Sequence, residues 1–411
     1  MDILLAAVDN QPANGVLHKR LQSDYAIVKE LPKTTDRFGG MLDYVDGYGK
    51  IRFAYFGSKY KEQPTYHTQE SFASAIGGII GLKTASYKNF DANIAVYISE
   101  DLPFLYDTDK RSDEFLDNQH NSYAYVAEAS INYHDDRFNI MLGRFVIDTP
   151  FANSDDIRMS QNSFEGAFGQ YSITEKIDAQ LFYISRWAGY DSADDTTSQN
   201  EFKKLVDDSY GMIGASISYE YAQDSSLSFY YQNIEKLADI YYVELNGVYP
   251  YNEDVSFDYG LQFAHQVEDE NSGVDGDVYG AMGIVHYQDL YLTFAANFAR
   301  VSANKVVSDG FGGGPFFTSL DEATIAAASE HRPGSDANMY RTGLGYEAQN
   351  IHSTFEYAYG YIDLGGVTLD EHDLIYSFSF NDAWNAEAIL VRYITDTNEL
   401  NRAIVRVEYN F

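Results

Sequence analysis

An all-β fold, a transmembrane antiparallel β-barrel of about 18 strands, is predicted by three features of this 411-residue chain. First, the chain ends on strict alternation: Ala403, Val405, Val407, Tyr409 and Phe411 share one parity, while Arg402, Arg406, Glu408 and Asn410 share the other. One strand face is therefore apolar and the other polar. Second, 36 Tyr and 26 Phe occur in a chain whose mean hydropathy is only -0.35. That combination suits strands with lipid on one face and water on the other, ringed by aromatic residues at both boundaries. Third, no apolar run approaches the roughly 20 residues of a membrane-crossing helix, which excludes a helical membrane protein. A soluble β-sandwich or propeller shares the composition but not the terminus.

Residues 1–43 do not alternate. Pro12, Pro32 and the mixed-charge stretch from His18 to Glu30 predict a small helix or irregular arm, lying in the periplasm or tucked into the lumen, ahead of a barrel spanning 44–411. The start, Met1 to Ala7, lacks the basic and long apolar regions of an export signal, as expected of a mature form carrying an initiator Met. The chain has no cysteine, so disulfides and thiolate metal sites are excluded.

Within the barrel, tight turns are predicted at Lys88 to Phe90, His134 to Asp136, Ile173 to Lys176, Ala222 to Ser225, Pro250 to Glu253, Gln288 to Asp289, Gln349 to Asn350 and Asn381 to Trp384. Longer polar connections fall near 57–70, 100–121, 148–162, 188–208, 235–238, 268–275, 302–337, 362–371 and 395–400. The two kinds alternate, as expected when short turns face the periplasm and long loops face outside, and the 17 connections join 18 strands; 16 is the alternative. In the loop at 302–337, Ser319 and Glu322 fit a capping box, so a short helix is predicted over residues 320–328.

Parity assigns faces. Tyr123, Tyr125, Ala127, Ala129, Ile131 and Tyr133 are expected to meet lipid, as are Leu290 to Phe298 and Ile351 to Tyr361 on their apolar parity. The lumenal set is expected to hold Lys50, Arg52, Arg144, Arg186, Arg341, Arg392, Arg402 and Arg406 with Glu128, Glu165, Glu220, Glu244, Glu356, Asn132, Thr293, Asn297 and His352. So wide a barrel is not filled by its own side chains, and a water-filled or loop-narrowed channel follows.

Net charge is -34, and acids crowd the predicted loops: 100–121 holds seven against Lys110 and Arg111, and 268–277 holds Glu268, Asp269, Glu270, Asp275 and Asp277 without a base. Such a mouth enriches cations over about 8 Å at physiological salt, or serves solubility and divalent-bridged contact with anionic lipopolysaccharide. Asp269, Asp275 and Asp277 are candidate structural Ca²⁺ ligands, although the distal bidentate Glu of an EF-hand is missing. Enzymatic readings lack support. Asp370-Glu371-His372-Asp373 has no partner His at fixed spacing and reads as a solvated loop tip, and Gly310 to Pro315 lacks the Lys-Ser/Thr of a phosphate loop.

The terminal strand with its final Phe411 is similar to the closing strand of bacterial outer-membrane barrels. Gly143-Arg144, Asp148-Thr149-Pro150, Ser154 to Met159 and Phe164-Glu165-Gly166 further resemble the third-loop region of OprD-type porins, 18-stranded channels for small, often carboxylate-bearing solutes. That family usually has Pro where Ser160 or Gln161 stands, and the trimeric, cation-preferring major outer-membrane proteins of campylobacters are an equally fair comparison. The resemblance implies a Gram-negative outer-membrane location, assembly through the barrel-assembly machinery, and a monomer or homotrimer. It also implies a third loop folded inward, with Asp148, Asp155, Asp156, Arg158 and Glu165 at a constriction and no enzymatic activity. The expected function is passive diffusion of small hydrophilic solutes with mild cation preference. The alternatives are a carboxylate- or amino-acid-selective channel built on lumenal arginines, and an adhesin or structural barrel with a blocked lumen. Locally, Asp148 could instead serve an Asx turn and Arg158 a structural ion pair.

Overall fold

Eighteen consecutive antiparallel strands close on themselves in the computed structural model, which describes residues 33–62, 68–194 and 196–411. In chain order they are β1 (Asp46–Glu62), β2 (Thr68–Lys83), β3 (Phe90–Asp101), β4 (Tyr123–His134), β5 (Phe138–Phe145) and β6 (Ser163–Thr174). There follow β7 (Ile177–Ala188), β8 (Met212–Ala222), β9 (Ser225–Ile234), β10 (Ala238–Pro250), β11 (Val255–Glu268) and β12 (Gly276–Tyr287). The last six are β13 (Leu290–Val301), β14 (Ala337–Ala348), β15 (Ser353–Asp363), β16 (Thr368–Ser379), β17 (Trp384–Ile394) and β18 (Asn398–Asn410). The terminal strand β18 pairs with β1 from Lys50↔Asn410 to Glu62↔Asn398, so the sheet closes without a free terminal strand.

Every expected tight turn is present, several built on residues at positive φ such as Lys88, Asn89, Asp224, Gln288 and His352. Three connections expected to be long, at 235–237, 364–367 and 395–397, are tight hairpins. His352 lies in its turn, exposed, rather than in the lumen. Of the N-terminal arm, residues 1–32 lie outside the described residues. Thr34–Thr35 pairs with Ser86–Tyr87 beside a short turn, next to the helical turn Gly40–Asp43.

Two packing facts correct the face assignment. A bulge in β4, where Ala95↔Glu128 is followed by Val96↔Val126, leaves Ala127 as the extra residue. Tyr123, Tyr125 and Ala127 consequently turn inward, and Ala124 and Val126 point out, while Ala129, Ile131 and Tyr133 keep the lipid face. The second fact is that the lumen contains an apolar core of its own. Phe145, Phe164, Phe168, Phe182, Ile184 and Trp187 point inward around Phe151 and Phe311, which come from loops. In β5 to β7 both faces are apolar, and hydrophobicity no longer identifies the lipid side.

Asp370 to Asp373, expected in a loop, lies inside β16 with Asp370 and His372 outward and Glu371 and Asp373 buried inward. The helix in the longest loop spans Ile325–His331, not 320–328. Its cap is Thr324, whose hydroxyl accepts from Ala327 N at 3.0 Å. Upstream, the amides of Glu322 and Ala323 donate to Glu371 on the wall, so Ser319 cannot start the helix.

Candidate functional site

Two long connections fold into the barrel and meet there. The segment 146–162, between β5 and β6, reaches β1 and β18; the segment 302–336, between β13 and β14, reaches β11, β16 and β18. They are stitched together by backbone bonds of 3.0 Å from Asn153 N to Phe311 O and from Phe311 N to Phe151 O, and by Gly313 N to Asn153 Oδ1 at 2.9 Å. A Cβ on Gly310 (φ 84°) would lie 2.3 Å from the carbonyl oxygen of Phe151, so this approach requires glycine. A third connection, 102–122, adds Phe115 and Leu116, both fully buried.

The charged groups gather where the first of these loops touches the wall. Asp156 accepts from Arg52 Nη1 and Nη2 at 2.6 and 2.9 Å and is also bonded by Lys50. Arg52, only 2% exposed, donates from Nε to Glu408 at 2.6 Å and from Nη1 to the carbonyl of Arg158. Arg406 holds the carbonyl of Asp156 at 2.6 Å and pairs with Glu387. Burial by itself would raise the Asp156 carboxyl, but Arg52 and Lys50 outweigh it and hold the group well below its ordinary range.

Around the second loop, Arg402 pairs with Asp321 at 3.1 Å and with Glu322, and Arg341 pairs with Glu356 at 2.9 Å while holding the carbonyl of Ser319 at 2.7 Å. Glu371 and Asp373 accept backbone amides of that loop. Expected lumenal positions are thus found for Lys50, Arg52, Arg341, Arg402, Arg406, Glu128, Glu244 and Glu356.

Other expectations need correction. Arg144, Glu165 and Arg186 form a cross-strand row on the outward parity of Leu142, which is 53% exposed; their inward neighbours are Phe145, Phe164 and Trp187. Arg392 likewise points out with Leu390, beside His372 and paired with Glu399 at 3.1 Å, because the inward positions of β17 are Ile389 and Val391. Arg158 points into protein rather than into open lumen: it pairs with Glu114 at 2.5 Å and lies 4.3 Å from the Tyr190 ring centroid. Asp148 accepts from both the amide and hydroxyl of Ser154, shaping the loop. Asp155 sits at φ 29° in the same loop.

The candidate Ca²⁺ ligands have separate partners. Asp269 accepts from Lys236 N, Asp275 from Ser302 Oγ, and Asp277 pairs with His265 on the outward face. Among the described residues, no group of three or more His, Asp or Glu side chains is placed to hold a metal ion. Glu268, expected to be unopposed, is paired with Lys305 at 2.6 Å.

Sequence reading missed Asp191, in a 3-10 turn at Tyr190–Ser192. It accepts from Asn162 Nδ2 at 2.7 Å, linking the loop 189–211 to the inward-folded 146–162. Burial and the Asp155 carboxylate push its pKa up to about 7. No local sequence pattern marks this residue, since its environment is assembled from three loops.

The model of the outer membrane porin, OprD family, matches residues 117–317. No curated protein matches the chain. Among solved structures, Pseudomonas aeruginosa OpdQ is 13% identical with a TM-score of 0.71, covering 91% of this chain and 99% of its own. P. aeruginosa OpdK, crystallised with vanillate, is 11% identical with a TM-score of 0.76, covering 90% and 100%. Acinetobacter baumannii OccAB2 is 13% identical with a TM-score of 0.71, covering 91% and 99%. The family match takes in the first inward-folded loop and the start of the second, and with the closed barrel of 18 strands it makes this chain an outer-membrane porin similar to the OprD family, with a transport rather than an enzymatic role in a Gram-negative envelope.

Proposed function

We propose that this channel for small solutes is narrowed where the loop carrying Asp155 and Asp156 meets Lys50, Arg52 and Arg406, and that it mildly prefers cations. One observation supports the reading: the inward-pointing guanidinium groups of Arg52, Arg341, Arg402 and Arg406 are each held by a carboxylate. Fixed charge beside low-dielectric walls counts for more than the screened acids of the outer loops. Single-channel recording in a KCl gradient is the test. The expected result is a conducting pore with a reversal potential favouring K⁺, most strongly at low ionic strength. Chloride preference would overturn the selectivity, and absence of conductance would favour an adhesin or structural barrel.

A second reading follows from three bases, Lys50, Arg52 and Arg406, converging on one loop residue, Asp156. A solute carboxylate could exchange for the Asp156 side chain at that point. OpdK was crystallised with vanillate, a carboxylate of this kind. Concentration-dependent block of KCl current by vanillate, lost in Arg52→Gln, would favour this reading.

A further inference from the structure

On the outer wall, just below the long loops, three bases stand in one cross-strand row against a single acid. Arg144 on β5 faces Glu165 on β6, Glu165 faces Arg186 on β7, and Arg186 faces Lys204 in the two-residue strand Lys203–Lys204. Each shares the parity opposite to Phe145, Phe164 and Trp187, which fill the lumenal core. The side chains therefore point away from the pore. Arg144 spends its charge on Glu165 at 3.0 Å, whereas Arg186 and Lys204 are exposed and have no ionic partner among the described residues. Two unneutralised cations side by side are unusual in a chain with a net charge of -34.

Their depth is marked by what lies beside them. One step toward the periplasm the outward positions are Leu142, Ala167 and Tyr183, and the Tyr183 hydroxyl donates to the carbonyl of the exposed Tyr210. Phe202 lies between the Arg144 guanidinium, 4.2 Å from ring centroid to Cζ, and the inward-turned Tyr125, whose ring is 6.3 Å away, and so covers the inner side of the row. Aromatic residues that bridge an apolar band and a basic row are the pattern of a membrane boundary, here at the outer leaflet. Long cations at that height attract anionic headgroups, and a guanidinium fork matches phosphate oxygens.

We propose that Arg186 and Lys204 form a binding site on the barrel exterior for a phosphorylated headgroup of an outer-leaflet glycolipid, with Tyr183 and Leu142 seating the adjoining acyl region. The contact is direct and needs no divalent bridge. It is independent of what the lumen passes.

The test uses the full chain, folded in detergent, with binding of diphosphorylated lipid A read by native mass spectrometry. Phosphate-free lipid A is the comparison probe, and Arg186→Gln with Lys204→Gln the variant. Retention of the folded, heat-modifiable form on gels shows that the barrel is intact. The expected result is binding of the diphosphorylated lipid roughly tenfold or more tighter than the phosphate-free one, with that advantage lost in the double variant. Lys176→Gln, at a periplasmic turn, should bind as the wild type does. Equal binding of the two lipids, or an undiminished advantage in the double variant, would overturn the site. Full displacement by millimolar inorganic phosphate would overturn the assignment to a lipid in favour of free phosphate.

Discussion

Asp156 and Arg52 form a two-pronged ion pair, 2.6 and 2.9 Å, between a loop that has folded into the barrel and the strand that closes it. The loop's position therefore depends on a charge pair whose guanidinium is buried and whose carboxylate is 26% exposed to the channel, so removing one partner costs at most roughly 3–5 kcal/mol. Asp156→Asn should release the loop from β1, increase single-channel conductance and shift the reversal potential toward anions, because Lys50, Arg52 and Arg406 lose one counter-charge. Unchanged conductance and selectivity would mean that the loop is held chiefly by its apolar contacts at Phe151.

Location should matter more than number of charges. Neutralising Asp155 and Asp156 together is expected to reduce cation preference more than neutralising Glu268, Asp269, Glu270, Asp275 and Asp277 at once. The latter group includes Glu268, already paired with Lys305, and Asp277, which faces outward beside His265. Reversal potentials of the two variants under one salt gradient decide the order.

The bulge at Ala127 makes a local statement about lipid contact. With Trp placed singly at Tyr125 and at Val126, brominated lipid should quench strongly only at 126, where the side chain points out. Quenching at 125 alone would restore the unbroken alternation of β4.

Asp191 links loop docking to pH. Its folded pKa, about 7, lies above the unfolded carboxylate value of about 3.9, so the folded state holds more protons between those limits. Its contribution to stability is present in full below about pH 4, declines as pH rises toward 7, and is level above. Thermal unfolding in detergent across this range should show that slope in the wild type and lose it in Asp191→Asn. A slope identical in both would remove Asp191 as its source.

The short helix Ile325–His331 gives a test of the corrected cap. Thr324→Ala should cost about 1 kcal/mol of local stability, seen as faster amide exchange at 325–331, whereas Ser319→Ala should leave that segment unchanged. The reverse ranking would reinstate the capping box at Ser319.

Barrel, strand number, closing strand and membrane address were legible because each rests on a period of two that lipid enforces on a lone wall. Alternation at Val405, Val407 and Tyr409 or at Leu290, Leu292 and Phe294 needs no knowledge of neighbours, since lipid covers one face throughout. The third-loop motif likewise located the segment that enters the lumen. The sequence could not show which way β5 to β7 and β17 face, because Phe145, Phe164, Trp187 and Ile389 are as apolar as any lipid-facing residue. Their direction is set by Phe115, Phe151 and Phe311, which arrive from loops distant in sequence and make the lumen itself partly a hydrophobic core. Only that tertiary packing moved Arg144, Arg186 and Arg392 to the outside, buried Arg158 against Glu114, and left Arg52 and Asp156 facing each other. Parity is local, but the solvent on each side of a strand is decided by what the rest of the chain puts there.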